Sequence, residues 1–276
     1  MAEVRRVAVI GDVGGHYDAL LAALIDLGMD LGSGLLPTDL TVVQVGDLVH
    51  RGPASDAVVD LVDHIMGRQP DQWVQLVGNH EQHYVSAPVL TWHETISAQA
   101  QTRLQRWWDT RVMRPAVAVV ANGQEWLVTH AGLTQGFWRA LGSPTTAPAA
   151  ARAINALDRA APSPLWRAGV MLGDRPTLSA GPVWASSTYE VLPGWTAPGA
   201  PVLPFHQVHG HTSVADWPTG ALRGSAHVRA ATQVDVDSRH TVTTVGDRQI
   251  IGVDPVHGTT SAPHWAPLVL HGAWVA

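Results

Sequence analysis

The sequence predicts a layered α/β fold built on a mixed sheet, and three observations carry that prediction. Four apolar segments each run into a polar cluster: Val7–Asp12 (VAVIGD), Thr41–Asp47 (TVVQVGD), Trp73–Glu81 (WVQLVGNHE) and Glu125–Gly132 (EWLVTHAG). A fifth, His206–Thr212 (HQVHGHT), repeats the pattern late in the chain. Helical stretches, Tyr17–Leu27 and Ser55–Met66, separate the first three. Two further segments read as hairpins, Ala116–Val128 turning at Asn122-Gly123 and His240–Val253 turning at Gly246-Asp247.

Continuous apolar runs of this length suit strands buried on both faces. In a layered sheet, ligands gather beyond the carboxyl ends of strands, which is where every polar cluster falls. The segment His93–Val112 reads as a helix after the third strand. The chain is expected to form one domain over 1–276, with a helical and loop insertion at about 135–204 beside the site. From 143 to 204 that insertion is rich in Ala, Pro, Gly and Trp. The last stretch, SAPHWAPLVLHGAWVA, carries no recognisable chemistry.

Composition narrows the function. Of 276 residues, 46% are hydrophobic and 14% charged, so the chain is globular and large enough for a substantial core. A net charge of −6 argues against a nucleic-acid polymer as partner. The absence of cysteine excludes disulfides, thiolate zinc sites and cysteine nucleophiles. No leader and no membrane-length apolar run is apparent, so a cytoplasmic protein without a membrane partner is expected.

The polar clusters contain Asp12, Asp47, Asn79, His80, His130, His209 and His211. Carboxylate, amide and imidazole donors at adjacent strand ends can hold two divalent ions. Such a pair clamps a phosphate and acidifies a bound water, which becomes the nucleophile. The mixture suits Mn, Fe, Zn or Co better than Ca, with Mn favoured. Singly, each cluster has an ordinary structural explanation: a turn, a helix cap or a buried histidine. Their number and order do not. A dinucleotide-binding loop is excluded, because the glycines of GDVGGH do not follow G-x-G-x-x-G.

GDLVHRGP, followed by GNHE and THAG, resembles the calcineurin-like metallophosphoesterases, in the branch with phosphoprotein phosphatases and diadenosine tetraphosphate hydrolases. The resemblance covers Val7 to about Gly132, then His206–Ser213. It implies a four-layer αββα sandwich and hydrolysis of a phosphorylated protein, nucleotide or small molecule. By this resemblance Asp47 bridges two ions, Asn79, His130 and His209 complete one, and Asp12 and His211 serve the other. Arg51 grips the substrate phosphate, and His80 contacts it and helps protonate the leaving oxygen. GPVW (Gly181–Trp184) faintly resembles a stretch beside the site in some bacterial members.

Two positions depart from the family pattern. Gly14 stands where the first motif has a histidine ligand, and His50 stands where an aspartate usually orients the GNHE histidine. The purple acid phosphatases also have glycine in the first motif and recover the ligand three residues after the bridging aspartate. His50 lies at that spacing from Asp47, so it is expected to replace the missing ligand. His16 is the competitor, or faces the following helix or the substrate. A water-filled or single-ion site is the remaining case.

Overall fold

Strand β1 (Arg6–Ile10) shows how the layers arise. Val7 and Val9 pack in one apolar cluster with Val119, Val128, Val208 and Ile251. Ala8 and Ile10 pack in another with Leu20, Leu24 and Val62. Successive side chains of a strand point to opposite faces. One face of β1 therefore meets a second sheet, and the other meets helices. The structure, a computed structural model, describes residues 5–259 and 262–276.

Three strands continue β1 in parallel: β2 (Leu40–Gln44), β3 (Trp73–Leu76) and β4 (Met113–Arg114). Helices α1 (Tyr17–Asp26) and α2 (Ser55–Arg68) make the first crossovers, and α3 (Asn79–Val85) and α4 (Ala98–Asp109) the third. Val58, Val59, Val62, Ile65 and Met66 form the buried stripe of α2 at helical spacing. Both hairpins form: β5 (Ala116–Ala121) with β6 (Gln124–Thr129), and, further along, β11 (His240–Val245) with β12 (Arg248–Gly252). Asn122 and Gly123 have φ of 49° and 78°, the left-handed pair that a two-residue hairpin turn requires.

Between β6 and β7 (His206–His209) lie α5 (Gln135–Ala140), α6 (Ala147–Asn155) and α7 (Leu192–Thr196). The short pair β8 (Ala215–Asp216) and β9 (Ala221–Leu222), helix α8 (Ala226–Ala231) and β10 (Thr232–Asp235) precede β11. The chain closes with β13 (Leu268–His271) and β14 (Ala273–Val275). The second sheet runs β10-β11-β12-β7-β6-β5-β14. The C-terminal tail has an architectural role: β13 pairs antiparallel with β1, and β14 with β5, so it ties the two sheets together. Two mixed sheets with flanking helices match the expected class.

Within each sheet the site-bearing strands are parallel: β1, β2 and β3 in one, β6, β7 and β12 in the other. Their carboxyl ends collect at one edge. The regular strands stop short of the predicted spans, at Ile10, Gln44, Leu76, Thr129 and His209. Beyond them the chain leaves the ladder, and Asp47 and His211 take φ of 56° and 65°. Left-handed backbone at non-glycine residues costs energy and gathers at functional sites. Among the described residues, no helix is long and apolar enough to cross a membrane.

Candidate metal centre

The loop carrying Asp47 is held from two sides. Buried Gln44 donates its amide to the carbonyls of Gly11 (3.1 Å) and Gly46 (2.7 Å), and accepts the Gly46 N–H (2.9 Å). The buried Glu81 carboxylate accepts three backbone N–H groups: Asp47 (2.7 Å), Leu48 (2.8 Å) and Gly78 (2.9 Å). This clamp joins the ends of β2 and β3, and its Gly78 bond satisfies an orphan donor at the start of α3.

Asp47, His130 and His211 each offer a ligand atom, and these atoms lie within 4.8 Å of one another. His130 Nε2 is 3.4 Å from Asp47 Oδ1 and 2.9 Å from Asn79 Oδ1. Its Nδ1 faces the Val45 carbonyl at 3.1 Å. A proton on Nδ1 donated there leaves the Nε2 lone pair aimed at the centre. His211 Nε2 is buried with no hydrogen-bond partner. Burial holds His130 well below the usual imidazole range and brings His211 to about 3, so both rings are neutral donors near pH 7.

Asp12 accepts the His211 backbone N–H at 2.9 and 3.2 Å on its two oxygens. Burial, then the charges of Asp254 and Asp47, push its carboxyl well above the ordinary range. Asp47 is raised chiefly by burial and next by Glu81, and Asp254 is raised by burial. Three buried carboxylates beside neutral imidazoles form a donor set that divalent cations fit, since cations offset the repulsion and use the free lone pairs. The wall of this site encloses a cleft of about 890 Å³.

His80 lines the cleft with Nε2 3.5 Å from Asp47 Oδ2. Its Nδ1 donates to the Val49 carbonyl at 2.9 Å, so a backbone oxygen orients this ring in place of a carboxylate at position 50. Burial sets its pKa well below the usual value. Arg51 is exposed and lines the cleft.

Three residues with expected roles at the centre make other contacts in this geometry. His50 does not face the centre: its Nε2 bonds the Tyr84 hydroxyl at 2.6 Å, and its ring lies 5.3 Å from Trp92. The left-handed turn at His50 and Arg51, φ 69° and 64°, sends Arg51 to the cleft while His50 packs on α3. His209, last in β7, sits opposite Gly252 in the sheet register and bonds the Gly210 carbonyl through Nδ1. Its ring lies on the sheet face against Gly252 and Gly132, and His211 takes the place beside Asp47 and His130. His16 donates Nε2–H to the Gly258 carbonyl at 2.8 Å and does not line the cleft.

Other contributors were not singled out from the sequence. Asp254 follows an apolar run, IIGV, the same signal as the other clusters, but that segment reads first as half of a hairpin. His257, three residues later, also lines the cleft. From the insertion come Ser186, Thr188 and Tyr189. GPVW supports the centre from behind: the Trp184 indole bonds Gln82, and its ring meets His211 edge-on at 6.1 Å.

Comparison with known proteins agrees with this architecture. Residues 5–214 match the calcineurin-like phosphoesterase family. A zinc-dependent endopolyphosphatase of Saccharomyces cerevisiae is 36% identical over 72 residues, 26% of this chain and 19% of that protein. The asymmetrical bis(5'-nucleosyl)-tetraphosphatase PrpE of Halalkalibacterium halodurans is 38% identical over 74 residues, 26% of this chain and 29% of that one. The chain thus spans under a third of the length of either relative. A cold-active protein-tyrosine phosphatase from a psychrophilic Shewanella species shares the fold, with a TM-score of 0.54 and 16% identity over 97% of this chain and 76% of that one. With the match spanning most of its length, the chain belongs to the calcineurin-like phosphoesterases.

Proposed function

We propose that this protein is a metal-dependent phosphoesterase that hydrolyses P–O bonds with two divalent ions. The observation that carries the reading is the convergence of Asp47, His130 and His211 within 4.8 Å, at the wall of the cleft that Asp12, Asp47, Arg51 and His211 line. Asp47, Asn79, His130 and His211 would hold one ion, and Asp12 and Asp47 would share the other. When bound, such ions supply Lewis acidity to a phosphate oxygen and acidify water. The donor set suits Mn²⁺ first; the zinc dependence of the yeast relative makes Zn²⁺ the next ion to try.

The chain's own groups bind and position the substrate. Arg51 offers a planar pair of donors to phosphate oxygens. His80 presents Nε2 to the cleft with its tautomer fixed by Val49. Arrival of phosphate charge raises its proton affinity, which equips it to protonate the leaving oxygen.

A phosphomonoester, on protein or small molecule, is the simplest substrate. One observation favours a second reading, a nucleotide polyphosphate: Arg223 and Arg239 line the same cleft as Arg51, with Trp217 beside them. Arg239 donates to the Pro255 carbonyl at 2.7 Å, with its guanidinium 5.5 Å from the Trp217 ring. Three arginines exceed what one phosphoryl group needs. Parallel hydrolysis of an aryl phosphate, a phosphopeptide and diadenosine tetraphosphate, with added Mn²⁺, separates these readings by kcat/KM. No turnover of any of them with Mn²⁺ or Zn²⁺ would instead support a phosphate-binding protein on the same scaffold.

A further inference from the structure

In the two-ion reading, Gly14 leaves the Asp12 side of the centre without an imidazole from the first motif, and neither His50 nor His16 reaches the gap. The chain brings another imidazole there from far along the sequence. Gly11, just after β1, lies so close to the end of β12 that a Cβ on it would sit 1.9 Å from the Val253 carbonyl oxygen. That contact delivers residues 254–257 to Asp12. The Val256 N–H closes a turn on Asp254 Oδ1 at 2.7 Å, and Val256 takes φ of 55°. The turn carries His257 back over Gly14: a Cβ built at Gly14 would lie 3.8 Å from His257 Cβ.

We propose that His257 is a ligand of the second ion, supplying from the loop after β12 the imidazole that position 14 lacks. The inference rests on the two-ion reading above. Among the described residues, His257 is the one histidine with both ring nitrogens buried and outside well-formed hydrogen bonds; the Asp12 main-chain carbonyl is positioned to hold one of them, which leaves the other nitrogen unclaimed. A buried polar nitrogen with no partner costs free energy unless something absent from the protein takes it. His257 is 4% exposed and lines the cleft with Asp12, Asp47 and His211. Asp254, at the base of the same turn, places a third carboxylate there and makes the position attractive to a cation.

The surroundings hold the ring in place. The His16 ring packs against it, tilted by 38° at 4.7 Å, and anchors the next residue by donating to the Gly258 carbonyl. Trp265 meets it edge-on at 6.2 Å.

The test is Mn²⁺ binding alone, by calorimetric titration and elemental analysis of chelator-stripped protein, with no substrate present. Wild type is expected to bind two ions. His257→Ala should bind the first with unchanged affinity and the second at least tenfold more weakly, the scale of losing a group that sets a metal site. His257→Gln keeps much of the packing on His16 and should show the same loss, while thermal melting of the stripped proteins reports whether each variant is folded. Two ions bound by folded His257→Gln at wild-type affinity would overturn the assignment while leaving the two-ion reading intact. Wild-type protein binding one ion or none would remove the two-ion reading and this inference with it.

Discussion

Replacing Glu81 should test whether the site is preorganised by the backbone clamp. This carboxylate is fully buried and accepts the N–H groups of Asp47, Leu48 and Gly78. Each buried donor left unpaired costs roughly 1–3 kcal/mol. Glu81→Ala orphans three, so destabilisation of about 3–5 kcal/mol is expected once partial relaxation and water entry are allowed. Glu81→Gln is a finer probe. Its carbonyl oxygen can replace Oε2 and keep the Asp47 and Gly78 bonds, but its amide then faces the Leu48 N–H. That leaves one orphan, about 1–3 kcal/mol. Both variants release the loop that places Asp47, so Mn²⁺ affinity should fall alongside stability. Urea unfolding of chelator-stripped protein measures the first effect and Mn²⁺ titration the second. Loss of less than about 1 kcal/mol in Glu81→Ala, with unchanged Mn²⁺ binding, would refute the clamp argument.

Other outcomes follow from the same geometry. Arg51→Ala should lose roughly 2–4 kcal/mol of transition-state stabilisation, read as kcat/KM, with the ion count unchanged; loss of bound metal would assign Arg51 to structure instead. His50 is brought to about 4 in the folded state, chiefly by burial. The unfolded chain therefore takes up its proton first, so this contribution is complete above about pH 6.5 and lost as pH falls from there towards 4. Urea midpoints at pH 7.5 and 5 should diverge less in a folded His50→Gln variant than in wild type, and an equal divergence would contradict the assignment.

Much of the architecture was legible because it is written in local pattern. Alternate side chains of β1 pack on opposite layers, so its apolar run announces a doubly buried strand. The Asn122-Gly123 turn is dictated by its own residues. The motifs also led to the edge where Asp12, Asp47, Asn79, His130 and His211 gather. Side-chain direction was not legible in the sequence. Spacing suggested that His50, three residues from Asp47, could reach the centre, but two left-handed residues turn it onto Tyr84. His209 and His211 are two residues apart, and only the end of the β7 pleat separates their fates. The orienting partner of His80 is a main-chain carbonyl, to which sequence is blind. His257 lies over Gly14 only through the close approach of Gly11 to Val253, so nothing in the local sequence near residue 14 could reveal it.

The most direct test of the account compares wild type and Asp47→Asn in one assay, hydrolysis of an aryl phosphate against Mn²⁺ concentration after stripping by chelator. Asp47 lies 3.4 Å from His130 and 3.5 Å from His80, at the middle of the centre. The account predicts no turnover without metal, recovery in wild type as two ions bind, and failure of Asp47→Asn to recover because both sites lose the same carboxylate. Full activity in metal-free wild type, or an active Asp47→Asn carrying two ions, would contradict it.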